Sequence, residues 1–148
     1  ARGSRDTHAA GARGKGCRAE GAERARRDKG YRTAILSDKR EAFGVAELAF
    51  SKLGDTVDRA LFFTDGMDPK PDPSGLQDMM GFLEVAPSET LFVGDSHRDI
   101  ECTQRAGVWS GAALWASVEP ELVLATNPEF CWEKVNDVGI TLKLSRTE

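Results

Sequence analysis

Four short apolar runs punctuate residues 31–148, each closely followed by polar or charged residues. They are Thr33-Ala34-Ile35-Leu36, Ala60-Leu61-Phe62-Phe63, Thr90-Leu91-Phe92-Val93 and Gly111-Ala112-Ala113-Leu114-Trp115. A short run without polar alternation suits a strand covered on both faces, as in a parallel sheet. The intervening stretches carry helical spacing instead. Phe43, Ala46, Ala49, Phe50 and Leu53 fall on one face of a helix over roughly 40–53, capped by Ser37 or Asp38 and stopped by Gly54. Leu76, Met79, Met80 and Leu83 give an inward face to a second helix, from a Ser74 cap to about Glu84. A short helix is expected over 98–106, and two further elements after Pro120. Pro69, Pro71 and Pro73 forbid regular structure before Ser74. Strands spaced by helices specify an α/β fold: a Rossmann-like parallel sheet with helices on both faces.

Chemistry gathers where such strands end. Ser37 follows the first run, Lys70 the second, and Gly94-Asp95-Ser96-His97-Arg98-Asp99 the third. Each admits two readings. Ser37 caps a helix or donates to a phosphoryl oxygen. Lys70 is a solvated loop lysine, or an ammonium aimed by the prolines around it. Asp95 caps a helix and Asp99 favours its positive end, or the two carboxylates converge on a hard cation such as Mg²⁺. Gly94 lets the backbone turn before Asp95. The conjunction favours the second reading: a hydroxyl, an ammonium and a pair of carboxylates, in order, each beyond a separate strand. That set suits magnesium-dependent phosphoryl transfer. His97 and Arg98, within the third cluster, are expected to face solvent or support it, or else to face a substrate; Asp38 and Lys39, beside Ser37, are solvated or touch a ligand. Asp65 and Asp68 belong to a connector leading to Lys70. Trp109, Trp115 and Trp132 are expected to pack at the core or the sheet edge.

This arrangement resembles the haloacid dehalogenase-like hydrolase superfamily, in its phosphoglycolate phosphatase-like branch, from about Ala19 to Ala116. Gly30 to Ser37 is similar to the stretch ending in the family's second motif, whose hydroxyl binds the transferred phosphoryl group. Lys70-Pro71-Asp72-Pro73 is similar to the third motif, whose lysine neutralises charge on the nucleophile and the phosphate. Gly94 to Asp99 is similar to the fourth, the acidic magnesium site. The resemblance implies Lys70 as catalytic, Ser37 and Lys70 as phosphate-binding, Asp95 and Asp99 as metal ligands, and Mg²⁺ as cofactor. It implies a phosphatase of small phosphorylated metabolites working through an aspartyl-phosphate. The first motif, an Asp-x-Asp loop after a central strand, has no match, because no Asp-x-Asp occurs in these residues. The chain is therefore expected to be an inactive C-terminal part, missing the central first strand and the cap domain. The alternative is a non-catalytic relative that binds metal or a partner. A mutase or a carbon–halogen hydrolase would share the same fold.

Residues 1–30 stand apart. Ala, Arg and Gly make up twenty of the thirty, and no Val, Ile, Leu, Met, Phe, Trp or Tyr precedes Tyr31. Residues 1–18 are expected to be low-complexity and disordered, having nothing to bury. Residues 19–148 form the partial core domain, with a polar helix expected over 19–29. Residues 1–30 carry nine Lys/Arg against four Asp/Glu, and the remainder eleven against twenty. A formal net charge of −4 gives no reason to expect nucleic acid as a partner. No apolar run approaches the about 20 residues of a membrane span, and no signal-like stretch is seen. Three cysteines without C-x-x-C spacing fit free thiols in a reducing cytoplasm.

Overall fold

The computed structural model describes residues 30–143. The low-complexity segment 1–18 and the helix expected over 19–29 lie outside them. The described chain alternates strand and helix: β1 Ala34–Arg40, α1 Glu41–Ser51, β2 Arg59–Phe63, α2 Ser74–Leu83, β3 Leu91–Gly94, α3 His97–Ala106, β4 Trp109–Ala113, α4 Pro120–Ala125, β5 Phe130–Trp132 and α5 Val135–Thr141. All strand pairs are parallel, which is the expected α/β architecture.

The strands form two sheets, not one. β1 pairs with β2, while β3, β4 and β5 form a separate sheet in that order. Among the described residues, neither β1 nor β3 has a second strand neighbour. The expectation of a missing central strand thus takes a definite form, with the strands on either side not closing up. The two sheets nonetheless share a core. Leu36 of β1, Leu76 and Met80 of α2, Phe92 of β3, and Cys102 of α3 with Val108 pack in one buried cluster. A second cluster of Ile100, Ala112 and Val123 lies under the larger sheet.

Helix α2 buries Leu76, Met79, Met80 and Leu83 as its spacing predicts. Helix α1 does not. Phe43 and Phe50 are 70% and 91% exposed, and Ala46 and Ala49 also face outward. The reason is Gly44, the only buried residue of α1. A Cβ there would lie 2.2 Å from the Phe62 ring, so the glycine brings the helix backbone directly onto β2. Glu47 and Leu48, on the same side as Gly44, then turn inward, and the apolar stripe is rotated away. The helix caps also differ from expectation. β1 runs on through Ser37 and Asp38 to Arg40, with a break in register between Ser37 and Arg40, so Arg40 rather than Ser37 or Asp38 precedes α1. Ser74 lies inside the first turn of α2 and bonds to Asp72 by both its N–H and its hydroxyl. β4 begins two residues before the expected run, because Trp109 N–H bonds to the Thr90 carbonyl and extends the pairing.

Candidate active site

The end of β1 and the loops after β2 and β3 meet at the first turn of α3. Asp99 is fully buried and Lys70 only 4% exposed, and Lys70 Nζ donates to Asp99 Oδ1 at 2.7 Å. Lys70 is therefore not a solvated loop lysine. Its ammonium also lies 5.7 Å from the Phe92 ring centroid, a cation–π distance. Burying two charges is costly unless both are paired and hydrogen-bonded, and here they are. The second Asp99 oxygen accepts from the Ser96 N–H at 3.0 Å and the Ser96 hydroxyl at 2.8 Å.

Ser96, not Asp95, is the N-cap of α3, and with Asp99 it completes a capping box. The Ser-x-x-Asp spacing carries that signal in the sequence. Gly94 has a reason other than a sharp turn: a Cβ there would lie 2.3 Å from Asp99 Cβ. Only glycine leaves room for Asp99 to fold back against the end of β3. Asp95, at the junction of β3 and the helix, is partly buried, and Ser37 is almost wholly so at 2% exposure. The Ser37 hydroxyl oxygen accepts the Lys39 N–H at 3.2 Å. All four candidate residues thus lie on the strand-end side of the fold, and Lys70 and Asp99 are in direct contact.

The donor set tests the implied metal. Mg²⁺ needs only one or two carboxylates, because it keeps several waters, and Asp95 and Asp99 supply that number. Among the described residues, no three His, Cys, Asp or Glu gather as a metal cluster. The Asp99 oxygens also hold Lys70 and Ser96, so the two carboxylates fit the ion with water and further ligands completing its shell.

Three groups support this arrangement: Arg98 takes its supporting reading, Asp38 reads from the sequence only as a candidate ligand contact, and Glu119 carries no sequence reading at all. Asp38 accepts the Lys70 N–H at 3.1 Å. Arg98 lies 3.3 Å from Asp38 and donates to the Lys70 carbonyl. Glu119, in the segment after β4, accepts from the His97 N–H at 3.2 Å and lies 2.6 Å from His97 Nδ1. Asp65, by contrast, is at the surface beside Arg40 at 3.0 Å, as expected of a connector.

The parallel α/β fold and the buried lysine–aspartate pair at its strand ends can be set beside known proteins. Residues 25–113 match the family described as haloacid dehalogenase-like hydrolase, and the chain belongs to that family. It is 33% identical over 110 residues to pyrophosphatase PpaX of Bacillus cereus (strain ATCC 10987 / NRS 248), covering 74% of this chain and 51% of the relative. The chain spans about half the length of the curated relatives it matches. Two solved structures share its fold. One, described as a predicted phosphoglycolate phosphatase from Haemophilus somnus 129PT, gives a TM-score of 0.75 at 19% identity, covering 84% of this chain and 55% of that one. The other, a haloacid dehalogenase-like family hydrolase from Streptococcus pneumoniae, gives 0.71 at 15%, covering 83% and 57%. Among the described residues, no helix is long and apolar enough to cross a membrane.

Proposed function

We propose that these residues form the phosphate- and magnesium-binding part of a phosphatase for small phosphorylated metabolites, located in the cytoplasm. The observation that carries this reading is the buried Lys70–Asp99 pair at 2.7 Å. A lysine held at 4% exposure at a strand-end loop is a concentrated positive charge, suited to offset repulsion between a carboxylate nucleophile and a phosphate dianion. Ser37 would donate to a phosphoryl oxygen. Asp95 would be the principal protein ligand to Mg²⁺, with Asp99 joining it or acting by holding Lys70 and the Ser96 loop in place. The metal would supply charge neutralisation at the phosphoryl oxygens. The names of the relatives, pyrophosphatase and phosphoglycolate phosphatase, support a small, strongly anionic substrate. No Asp-x-Asp occurs in the 148 residues, so the covalent step through an aspartyl-phosphate needs a carboxylate from outside them.

The test is an assay of residues 1–148 with p-nitrophenyl phosphate and Mg²⁺. The expected outcome is no turnover above a blank. Calorimetry should show Mg²⁺ binding of only about millimolar affinity, the weak end known for oxygen-ligand sites, lost in Asp95→Ala. Magnesium-dependent turnover abolished by Asp95→Asn would overturn the assignment of the nucleophile to residues outside this chain. Micromolar Mg²⁺ binding that survives Asp95→Ala would overturn the metal assignment.

A further inference from the structure

Lys70 is held at three points, and only one of them is its side chain. Its N–H donates to Asp38 Oδ1 at 3.1 Å, and its carbonyl accepts from Arg98 Nη2. Its ammonium donates to Asp99 at 2.7 Å. The first two holds are themselves joined, because Arg98 Nη2 lies 3.3 Å from the other Asp38 oxygen. Asp38, the Lys70 peptide and Arg98 therefore close a ring. Asp38 stands in β1 of the smaller sheet and Lys70 in the loop that follows β2 of that sheet, whereas Arg98 stands in α3, beside the larger sheet. The ring closes between two sheets that share no strand pairing.

We propose that Asp38 and Arg98 are positioning residues, which fix the Lys70 backbone across the two sheets and so aim its ammonium at the phosphoryl site. A lysine side chain has a flexible four-carbon stem, so its direction depends on where its Cα is held. The Asp38 carboxylate suits this task because one oxygen takes the N–H while the other pairs with the guanidinium. The guanidinium in turn neutralises the carboxylate and takes up the Lys70 carbonyl. Asp38 and Arg98 side chains are 18% and 43% exposed, so they stand at the open end of the loops, outside the buried Lys70–Asp99 contact. The proposal rests on the phosphate-binding reading for the target of Lys70, but not for the geometry of the ring.

The test uses residues 1–148 as wild type, Asp38→Ala, Asp38→Asn, Arg98→Ala, Arg98→Lys and the double alanine variant. Three quantities are read: hydrogen exchange of the Lys70 amide relative to that of buried Thr103, affinity for inorganic phosphate by ³¹P NMR titration, and the urea midpoint. Asp38→Ala should raise the Lys70-to-Thr103 exchange ratio by about tenfold and weaken phosphate binding by a similar factor, as loss of one charge-assisted hydrogen bond implies. Asp38→Asn keeps an oxygen for the Lys70 N–H and should restore most of the exchange protection. The double variant should be little worse than either single one, because the two act as one unit. An exchange ratio unchanged in Asp38→Ala overturns the proposal, as does full additivity of the two alanine substitutions in phosphate affinity. Should either alanine variant fail to fold, Asp38→Asn and Arg98→Lys decide it on the same ratio. A wild type that binds no phosphate brings down the phosphate-binding reading, and the exchange ratio alone then decides whether Asp38 and Arg98 position Lys70.

Discussion

The two sheets are built to different standards. The β1–β2 sheet has a break in register between Ser37 and Arg40, and its helix α1 buries one residue, a glycine. The β3–β4–β5 sheet keeps an unbroken register, and its helix α3 buries Asp99, Ile100, Cys102 and Thr103 with no exposure at all. Yet the site draws on both. Ser37 and Lys70 come from the loose side, Asp95 and Asp99 from the tight one. A well-packed half thus holds the acidic groups, and the Lys70 ammonium and carbonyl are tied to it through Asp99 and Arg98.

The severest way to break this comparison is to cut the tie. Lys70→Ala leaves Asp99 as a buried charge without its cation, a change that costs about 3–5 kcal/mol. The surface pair Arg40–Asp65, with side chains 64% and 91% exposed, belongs to the loose side and should contribute about 0–1 kcal/mol. Urea unfolding of Lys70→Ala and Arg40→Ala measures both. If the two cost the same, Lys70 is not held as a buried ion, and the division of labour between the sheets is wrong.

A smaller effect sharpens the contrast between helices. Ile100→Ala empties a fully buried position in α3 and should cost about 2–5 kcal/mol. Phe50→Ala removes a larger side chain from α1, but one that is 91% exposed, and should change stability by no more than about 0.5 kcal/mol. From the amino-acid sequence Phe50 reads as inward-facing, on the apolar stripe of α1. A large loss in Phe50→Ala would mean that α1 lies on β2 by its apolar stripe and not by Gly44.

That pair of residues shows what was legible and what was not. After Pro120 two elements are expected, and α4, β5 and α5 are found. The order of strands and helices as far as β4, and the inward face of α2, follow from short-range apolar patterning, because period and burial agree there. For α1 they disagree: a single glycine permits close approach to Phe62 and overrides five apolar residues, a tertiary effect that helical periodicity cannot register. The strand-end position of the four candidate residues was legible, because strand ends gather chemistry; the partners of the groups around them were not. Asp38, Arg98 and Glu119 make contacts 32, 28 and 22 residues away in sequence, and no local spacing marks them. Ser96 differs, since its cap with Asp99 is written in a local Ser-x-x-Asp pattern, although the expected cap is Asp95.

The gentlest probe is a thiol. Cys102 is fully buried under the join of the two sheets. Burial pushes its thiol from an ordinary value near 9 up to about 11, with the Lys70 charge offsetting part of the rise. The sign follows from which state ionises first. Below pH 9 the thiol is protonated in both states, and its contribution to stability is fully present. Between pH 9 and 11 the unfolded chain loses the proton while the folded chain keeps it, so stability falls as pH rises through this window. The quantity to measure is the difference in urea midpoint between wild type and Cys102→Ala as a function of pH, in which contributions common to both cancel. That difference should shift steadily against the wild type from pH 9 to 11 and be flat below. Cys131, exposed in β5, provides the contrast: it should react with a thiol reagent in the native state, at a pH where Cys102 reacts only on opening. A flat difference above pH 9, with Cys102 labelled as fast as Cys131, would mean that water reaches the join between the sheets. The tight half would then be no better sealed than the loose one.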